Sequence, residues 1–202
     1  MIIKPIIVSA PMVRAILREI EHPGTGKTMT RRLTGKNGKA STWLILHDLV
    51  EGGEKAALWV RETWGTIQAY DDWKPRQLHP GGASIGYATD DIGRWCQTGC
   101  NGAAGRWRSP IHMPKWANRL TLEVTGTKIE RLQSISEEDA IAEGTRVISV
   151  ANIPRPAAWS ERQDFSHIWD SLHGDGAWDA NPEVVAISFK PHLTNIDEWS
   201  AQ

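Results

Sequence analysis

Pro23-Gly24-Thr25-Gly26-Lys27-Thr28-Met29-Thr30-Arg31-Arg32 gathers glycine, hydroxyl and basic residues into one short run. At first sight it is a phosphate-binding loop. That pattern, G-x-x-x-x-G-K-[ST], turns backbone N–H groups onto a phosphate. Here its first glycine falls at Glu21, which sets an anion where an anion should bind. The run also follows a helical segment rather than a strand, and no second acidic strand for Mg²⁺ stands out. A nucleoside triphosphatase is therefore not expected. Counted from Lys27, the same residues read K-x-x-T-x-R, with Lys27, Thr30 and Arg32 at the fixed positions.

Upstream, Ile2 to Val8 is a β-branched run that predicts a strand. Ser9 then caps a helix whose Met12, Ala15, Ile16 and Ile20 share one face, and Glu21-His22-Pro23-Gly24 stops it. Downstream, residues 34–42 are a Gly/Lys/Asn loop. Residues 56–64 alternate as a strand, with Leu58, Val60, Glu62 and Trp64 on one face and Trp59, Arg61 and Thr63 on the other. A carboxylate on the apolar face needs a partner, which Arg31 or Arg32 is expected to supply. Residues 71–105 are rich in Gly, Asp and Pro without periodicity and form a long insertion. Residues 119–131 are a second long strand, with a bulge at Gly126. Ser136 opens a short acidic helix, with Asp139 at the capping-box position, and Gly144 ends it. Residues 145–158 form another loop. Residues 160–172 are a helix with Phe165, Ile168, Trp169 and Leu172 on one face. Residues 183–189 form the closing strand. The expected fold is α+β, a small mixed barrel with flanking helices. It spans 1–190 as a single domain, with 191–202 as a peripheral tail.

A chain of 202 residues needs no staples, and its two cysteines exclude a disulfide scaffold. No apolar run is long enough to span a membrane, and the N-terminus lacks a secretory pattern. A cytoplasmic location is expected. Net charge is −1, but residues 1–47 carry eight Lys/Arg against two Asp/Glu. That basic quarter suits a small anionic or nucleic-acid partner. Eleven of the 15 aromatic residues are Trp, so base stacking by an exposed indole is open, with Trp107 and Trp178 the candidates. Cys96 and Cys100, with His79 and His112, could hold Zn²⁺. Their spacing is loose, so free thiols are expected, with no metal or cofactor.

The Lys27, Thr30, Arg32 pattern resembles the signature G-x-K-x-x-T-x-R of the ASCH (activating signal cointegrator homology) superfamily, a PUA-like β-barrel. Thr25 stands where that signature has its first glycine. The segments LWVRETW (58–64), SPIHMPKWANRLTLEV (109–124), RLQSISEEDAIAEG (131–144) and WDSLHGDGAWDANPEVVAISF (169–189) look like those of bacterial and phage ASCH proteins. The resemblance covers most of the chain except 71–105 and the tail. It implies a PUA-like fold and a phage or prophage gene product. One branch, the bacterial N4-acetylcytidine amidohydrolases, uses the motif Lys and Thr with a Glu late in the short acidic helix. Carried over, these are Lys27, Thr30 and Glu143.

Amide hydrolysis needs a nucleophile, a base, an acid for the leaving amine and a stabilised oxyanion. Thr30 offers the hydroxyl. If Lys27 is partly desolvated beside Arg31 and Arg32, its pKa falls and it can act as the base. Glu143 holds the attacking group or shuttles the proton. The substrate-binding candidates are Arg31, Arg32, Arg61, Glu62, Trp64, Trp107 and Trp178, with Arg32 pairing with Glu62 or holding a phosphate. The function implied is hydrolysis of a modified pyrimidine nucleoside. The alternatives are a non-catalytic RNA- or nucleotide-binding module, and a ribonuclease.

Overall fold

A computed structural model describes residues 1–36, 39–79, 84–90, 103–148 and 159–201. Strands and helices are mixed along the chain in an α+β arrangement. In order they are β1 (Ile2–Ile7), α1 (Ala10–Glu21), β2 (Met29–Leu33), β3 (Gly35–Lys36), β4 (Lys39–Ala40), α2 (Thr42–Glu51), β5 (Ala56–Arg61), β6 (Trp64–Ile67), β7 (Gly86–Tyr87), β8 (Ala104–Arg108), β9 (Thr121–Arg131), α3 (Glu137–Ala142), α4 (Glu161–His173), β10 (Glu183–His192) and α5 (Ile196–Ser200). Five strands hydrogen-bond in the order β1-β5-β9-β10-β2, and three in the order β7-β6-β8. Among the described residues no helix is long and apolar enough to cross a membrane. Nor does any group of three or more His, Cys, Asp or Glu there form a metal cage. Cys96 and Cys100 lie outside the described residues.

The chain divides into two compact units. The first comprises Met1–Ile2, Ala15–Ala56 and Glu123–Pro191. In it β2 pairs antiparallel with β10, setting Thr30 opposite Ile187 and Arg32 opposite Val185. Its core joins Leu132, Ile135, Ala140, Phe165, Trp169 and Val184. Ser160 and Gln163 form a full capping box at the start of α4. The expected stripe on α4 is buried at Phe165, Ile168 and Trp169, but Leu172 is 52% exposed. The helical period places Leu172 correctly, yet it falls in the last turn, beyond the core. The described residues of 34–42, expected as a loop, carry two short strands. They hold the β3–β4 pair, and Ser41 caps α2 by accepting the Leu44 N–H at 3.2 Å.

The second unit comprises Ile3–Arg14, Ala57–Leu122 and His192–Gln202. Residues 56–64 do not form one strand. They break at Glu62-Thr63 into β5 and β6, and both faces of β5 are buried. Trp64 is fully buried with Leu78, Met113 and Ala117. The described parts of 71–105 carry β7 and the first residues of β8, so this segment contributes structure of its own. The C-terminal tail is not peripheral. Ile196 of α5 is fully buried against Ala57 and Trp59.

Glu62 is buried, and its partner is Arg119 rather than Arg31 or Arg32. Arg119 Nε donates to Oε1 at 2.9 Å and Nη2 to Oε2 at 3.0 Å, a bidentate fork. The Thr89 hydroxyl donates to Oε2 at 2.9 Å, and Asp90 takes a further N–H of Arg119 at 2.8 Å. The Arg119 guanidinium lies 3.9 Å from the Tyr87 ring centre. Burial pushes the Tyr87 phenol up to about 12. Removing Arg119 leaves a buried carboxylate unpaired, which costs about 3 kcal/mol. Arg119→Ala is therefore expected to lower Tm by roughly 6–12 °C in thermal unfolding. The double variant Arg119→Met/Glu62→Gln should recover much of that. A single variant as stable as wild type would refute the clamp.

Candidate active site

The Lys27 loop is built by close backbone approach. A Cβ on Gly26 would lie 2.3 Å from the Ala15 carbonyl oxygen, so only glycine fits against α1. The Lys27 N–H then donates to that same carbonyl at 2.9 Å, and the Thr28 N–H to Ala142 at the end of α3 at 2.8 Å. Glu19 closes the loop from α1, its carboxylate accepting the N–H groups of Gly24 at 2.9 Å and Gly26 at 2.8 Å. The amides that would cradle a phosphate are thus filled by a carboxylate. This agrees with setting the phosphate-loop pattern aside. Thr25, where the signature has its first glycine, donates its hydroxyl to the His22 carbonyl at 2.7 Å.

Glu143 is placed by the end of α3. Ser136 accepts the Asp139 N–H at 3.1 Å to start the helix, and three acidic residues in its first turn suit the positive end of the dipole. Glu143 is the C-cap, and Gly144 follows with φ +91°. A Cβ on Gly144 would sit 3.2 Å from the Cβ atoms of Ala15 and Lys27. Glycine at this turn therefore serves both the left-handed backbone and the packing around Lys27.

Lys27 and Glu143, 116 residues apart, meet at this point. Lys27 Nζ donates to Glu143 Oε2 at 2.6 Å and to the Glu143 carbonyl at 2.8 Å. The Lys27 and Glu143 side chains are 2% and 5% exposed. The other carboxylate oxygen, Oε1, accepts from Arg31 Nη1 at 3.2 Å. Arg31 also bonds Glu130 through Nε at 3.0 Å and Nη2 at 2.7 Å, and Asp139 through Nη2 at 2.7 Å. Lys128 completes the cluster with Asp139 at 2.9 Å and Glu130 at 3.1 Å. Three cations face three carboxylates.

Burial pushes the Lys27 ammonium below its ordinary range, against the pull of Glu143, while Arg32 and Arg31 add to the lowering. A lysine pKa lowered by burial brings the neutral, proton-accepting amine closer to the physiological range. Glu143 also opposes the lowering that burial imposes on Arg32. Asp139 would be raised by its burial, but Lys128 and Arg31 outweigh that and hold it below the usual carboxylate range.

The structure brings Lys27, Arg31 and Glu143 together. Thr30 is buried on β2 but outside this bonded set, because alternation turns its side chain to the face opposite Arg31. Arg31 was expected to bind substrate. Its side chain is fully buried, and its donors go to Glu130, Asp139 and Glu143 and to Met29 Sδ. Arg32 lies on the Thr30 face of β2, 5.6 Å from the Trp43 ring centre. Trp178 is half-buried on Phe165, with Arg162 5.8 Å from its ring centre. Arg61, Glu62, Trp64 and Trp107 belong to the second unit. There Arg61 lies against the Trp59 ring and donates to the Ile111 carbonyl at 3.3 Å. Glu62 and Trp64 are buried in their own clusters, which removes both as substrate contacts. Trp107 is 37% exposed on β8.

Sequence reasoning missed Glu130, Arg119 and Trp43. The demand of a buried Arg31 for several acceptors could have pointed to Glu130. Trp43 follows the Ser41 cap by two residues, a signal hidden behind the expected loop. A cleft of about 430 Å³ opens beside Arg32 and Trp43 in the first unit. Comparison of the chain with protein-family models, with curated proteins and with solved structures finds no match. The functional reading therefore rests on the residues themselves.

Because Asp139 has a depressed folded pKa, its contribution to stability is full above about pH 4 and is lost as pH falls through that lowered value. Wild type should be more stable than Asp139→Asn near neutrality. The gap in Tm should close as the pH is taken from about 5 to about 2. A gap of constant size across that range would contradict the ion-pair assignment.

Proposed function

We propose that the chain is a PUA-like hydrolase of the ASCH type, acting on an acylated pyrimidine nucleoside of the N4-acetylcytidine kind. The observation that carries this is the buried Lys27–Glu143 pair at 2.6 Å. These are two of the three residues that the motif resemblance singles out, and the burial of Lys27 works toward the neutral amine a base requires. In this reading the uncharged Lys27 takes the proton of the Thr30 hydroxyl as Thr30 adds to the acetyl carbonyl. The amide C–N bond breaks as the cytosine N4 receives that proton. Water then hydrolyses the acetyl ester on Thr30, releasing acetate and restoring the hydroxyl. Glu143 holds the ammonium between the two transfers, and Arg31 holds Glu143. The step requires the Thr30 hydroxyl, which lies outside the Lys27–Glu143–Arg31 set in the free chain, to reach Lys27 once substrate is bound. The same reading places the chain in a bacterial or phage setting.

The test follows the absorbance of N4-acetylcytidine. Wild type should turn it over, and Thr30→Ala and Glu143→Gln should each lose at least about 100-fold in kcat. Turnover that survives both changes would reduce the cluster to a structural clamp. A folded wild type without turnover would move the assignment to an RNA- or nucleotide-binding module, whose affinity should fall steeply with salt.

A further inference from the structure

A second cleft opens in the first unit, where the start of α3 meets the start of α4. It holds about 410 Å³ and is lined by Glu137, Ser160, Arg162, Gln163, Ser166 and Trp178. That volume falls in the range of small-molecule sites, ~300–1,000 Å³. All but Trp178 are polar, and each polar side chain or its backbone is held by a bond of its own. The Glu137 carboxylate accepts the Arg162 backbone N–H on Oε2 at 3.2 Å. Gln163 Oε1 accepts the Ser160 N–H at 2.9 Å, and Ser160 Oγ accepts the Gln163 N–H at 3.2 Å. The Ser166 hydroxyl donates to the Gln163 carbonyl at 2.7 Å. Arg162 Nη2 donates to the Gln133 carbonyl. These bonds fix the walls before a ligand arrives, which lowers the ordering cost of binding.

What the bonds leave over defines the ligand. Among the described residues, nothing donates to Glu137 Oε1 and nothing accepts from Gln163 Nε2. An open acceptor therefore stands in the same cleft as an open donor. The charges on its wall, Glu137 and Arg162, have opposite sign, so neither an anion nor a cation is favoured. A hydroxyl is neutral and both donates and accepts. Two on neighbouring carbons can meet the carboxylate and the amide together. A carboxylate accepting from a ribose hydroxyl is how dinucleotide sites hold that sugar. Trp178 supplies the apolar part of the wall. The Arg162 guanidinium lies over its ring at 5.8 Å, and the Phe165 ring meets it at 6.2 Å and 75°. The indole thus offers packing for C–H groups rather than a bare platform for a base. We infer that this cleft binds a sugar ring through a vicinal diol, one hydroxyl donating to Glu137 and its neighbour accepting from Gln163. A ribonucleoside and a free pyranose both carry that diol. None of Lys27, Thr30 and Glu143 is among the described residues that line the cleft, so its binding is independent of the hydrolase reading.

Two-dimensional ¹H–¹⁵N NMR on the full chain tests this, with the Trp178 indole N–H as reporter. The titrants are uridine, 2′-deoxyuridine, glucose, galactose and mannose, taken to tens of millimolar. If the diol comes from a ribonucleoside, uridine should move the reporter with a Kd at least about tenfold below that of 2′-deoxyuridine. If it comes from a free sugar, at least one pyranose should move the reporter and the nucleosides should not. Glu137→Gln keeps an acceptor for the Arg162 N–H but loses the charge, and should weaken the bound titrant at least about fivefold. Gln163→Glu keeps the capping box and removes the Nε2 donor, and should weaken it by a similar factor. Both variants should melt close to wild type, so a loss of binding is read on a folded chain. A reporter that none of the titrants moves would overturn the inference. So would 2′-deoxyuridine binding as tightly as uridine with no pyranose bound, or two variants that both bind as wild type does.

Discussion

A carboxylate buried between two cations organises the first unit. Glu143 gives one oxygen to Lys27 and the other to Arg31. Taking such charges out of water costs several kcal/mol each, and only close, hydrogen-bonded pairing offsets it. Each partner comes from a different part of the chain: Lys27 from the loop after α1, Arg31 from β2 and Glu143 from the end of α3. None can be buried alone, so the three elements must arrive together. The glycines follow from that demand. Gly26 brings the loop onto α1, and Gly144 turns the chain away just beyond Glu143.

The charge pattern also decides where an external anion can go. The loop amides of Gly24 and Gly26 already hold the Glu19 carboxylate. Lys27, Arg31 and Lys128 are matched by Glu143, Glu130 and Asp139. An incoming phosphate at any of these positions would have to displace a carboxylate. Lys27 and Arg31 of the basic N-terminal quarter are therefore neutralised internally, which net charge over a segment cannot show, because their carboxylates lie about 100 residues away in sequence.

Local signals in the sequence were legible where one element sufficed to produce them. The β-branched run at Ile2–Ile7, the helical stripe of α1, the Ser136 cap and the Gly144 stop all appear as expected. What failed was partner choice. Sequence shows that Glu62 needs a cation but not which one, and Arg119 supplies it from 57 residues away. Trp64 fits stacking or packing equally well by type, and only the tertiary fold decides for the core. Ile196 is similar: a short, mostly polar tail reads as peripheral until Ala57 and Trp59 offer its isoleucine a pocket. Of the candidate site, Lys27 and Glu143 came from motif and helix position. The acceptors that hold Arg31 came only from the fold.

The two cations around Glu143 are not interchangeable, and their difference divides the labour of the cluster. Arg31 presents a rigid fork with five N–H donors, and it meets three carboxylates at once. A lysine there is a single point charge and could not span Glu130, Asp139 and Glu143 in one plane. In the proposed hydrolase reading Lys27 has the opposite task. Its ammonium is compact and its pKa moves readily when buried, whereas a guanidinium stays charged in any protein setting. An arginine at 27 would hold Glu143 but could never accept a proton. Fixing geometry calls for the group that cannot titrate, and moving a proton calls for the one that can. In that reading, Lys at 27 and Arg at 31 put each where its own property is used.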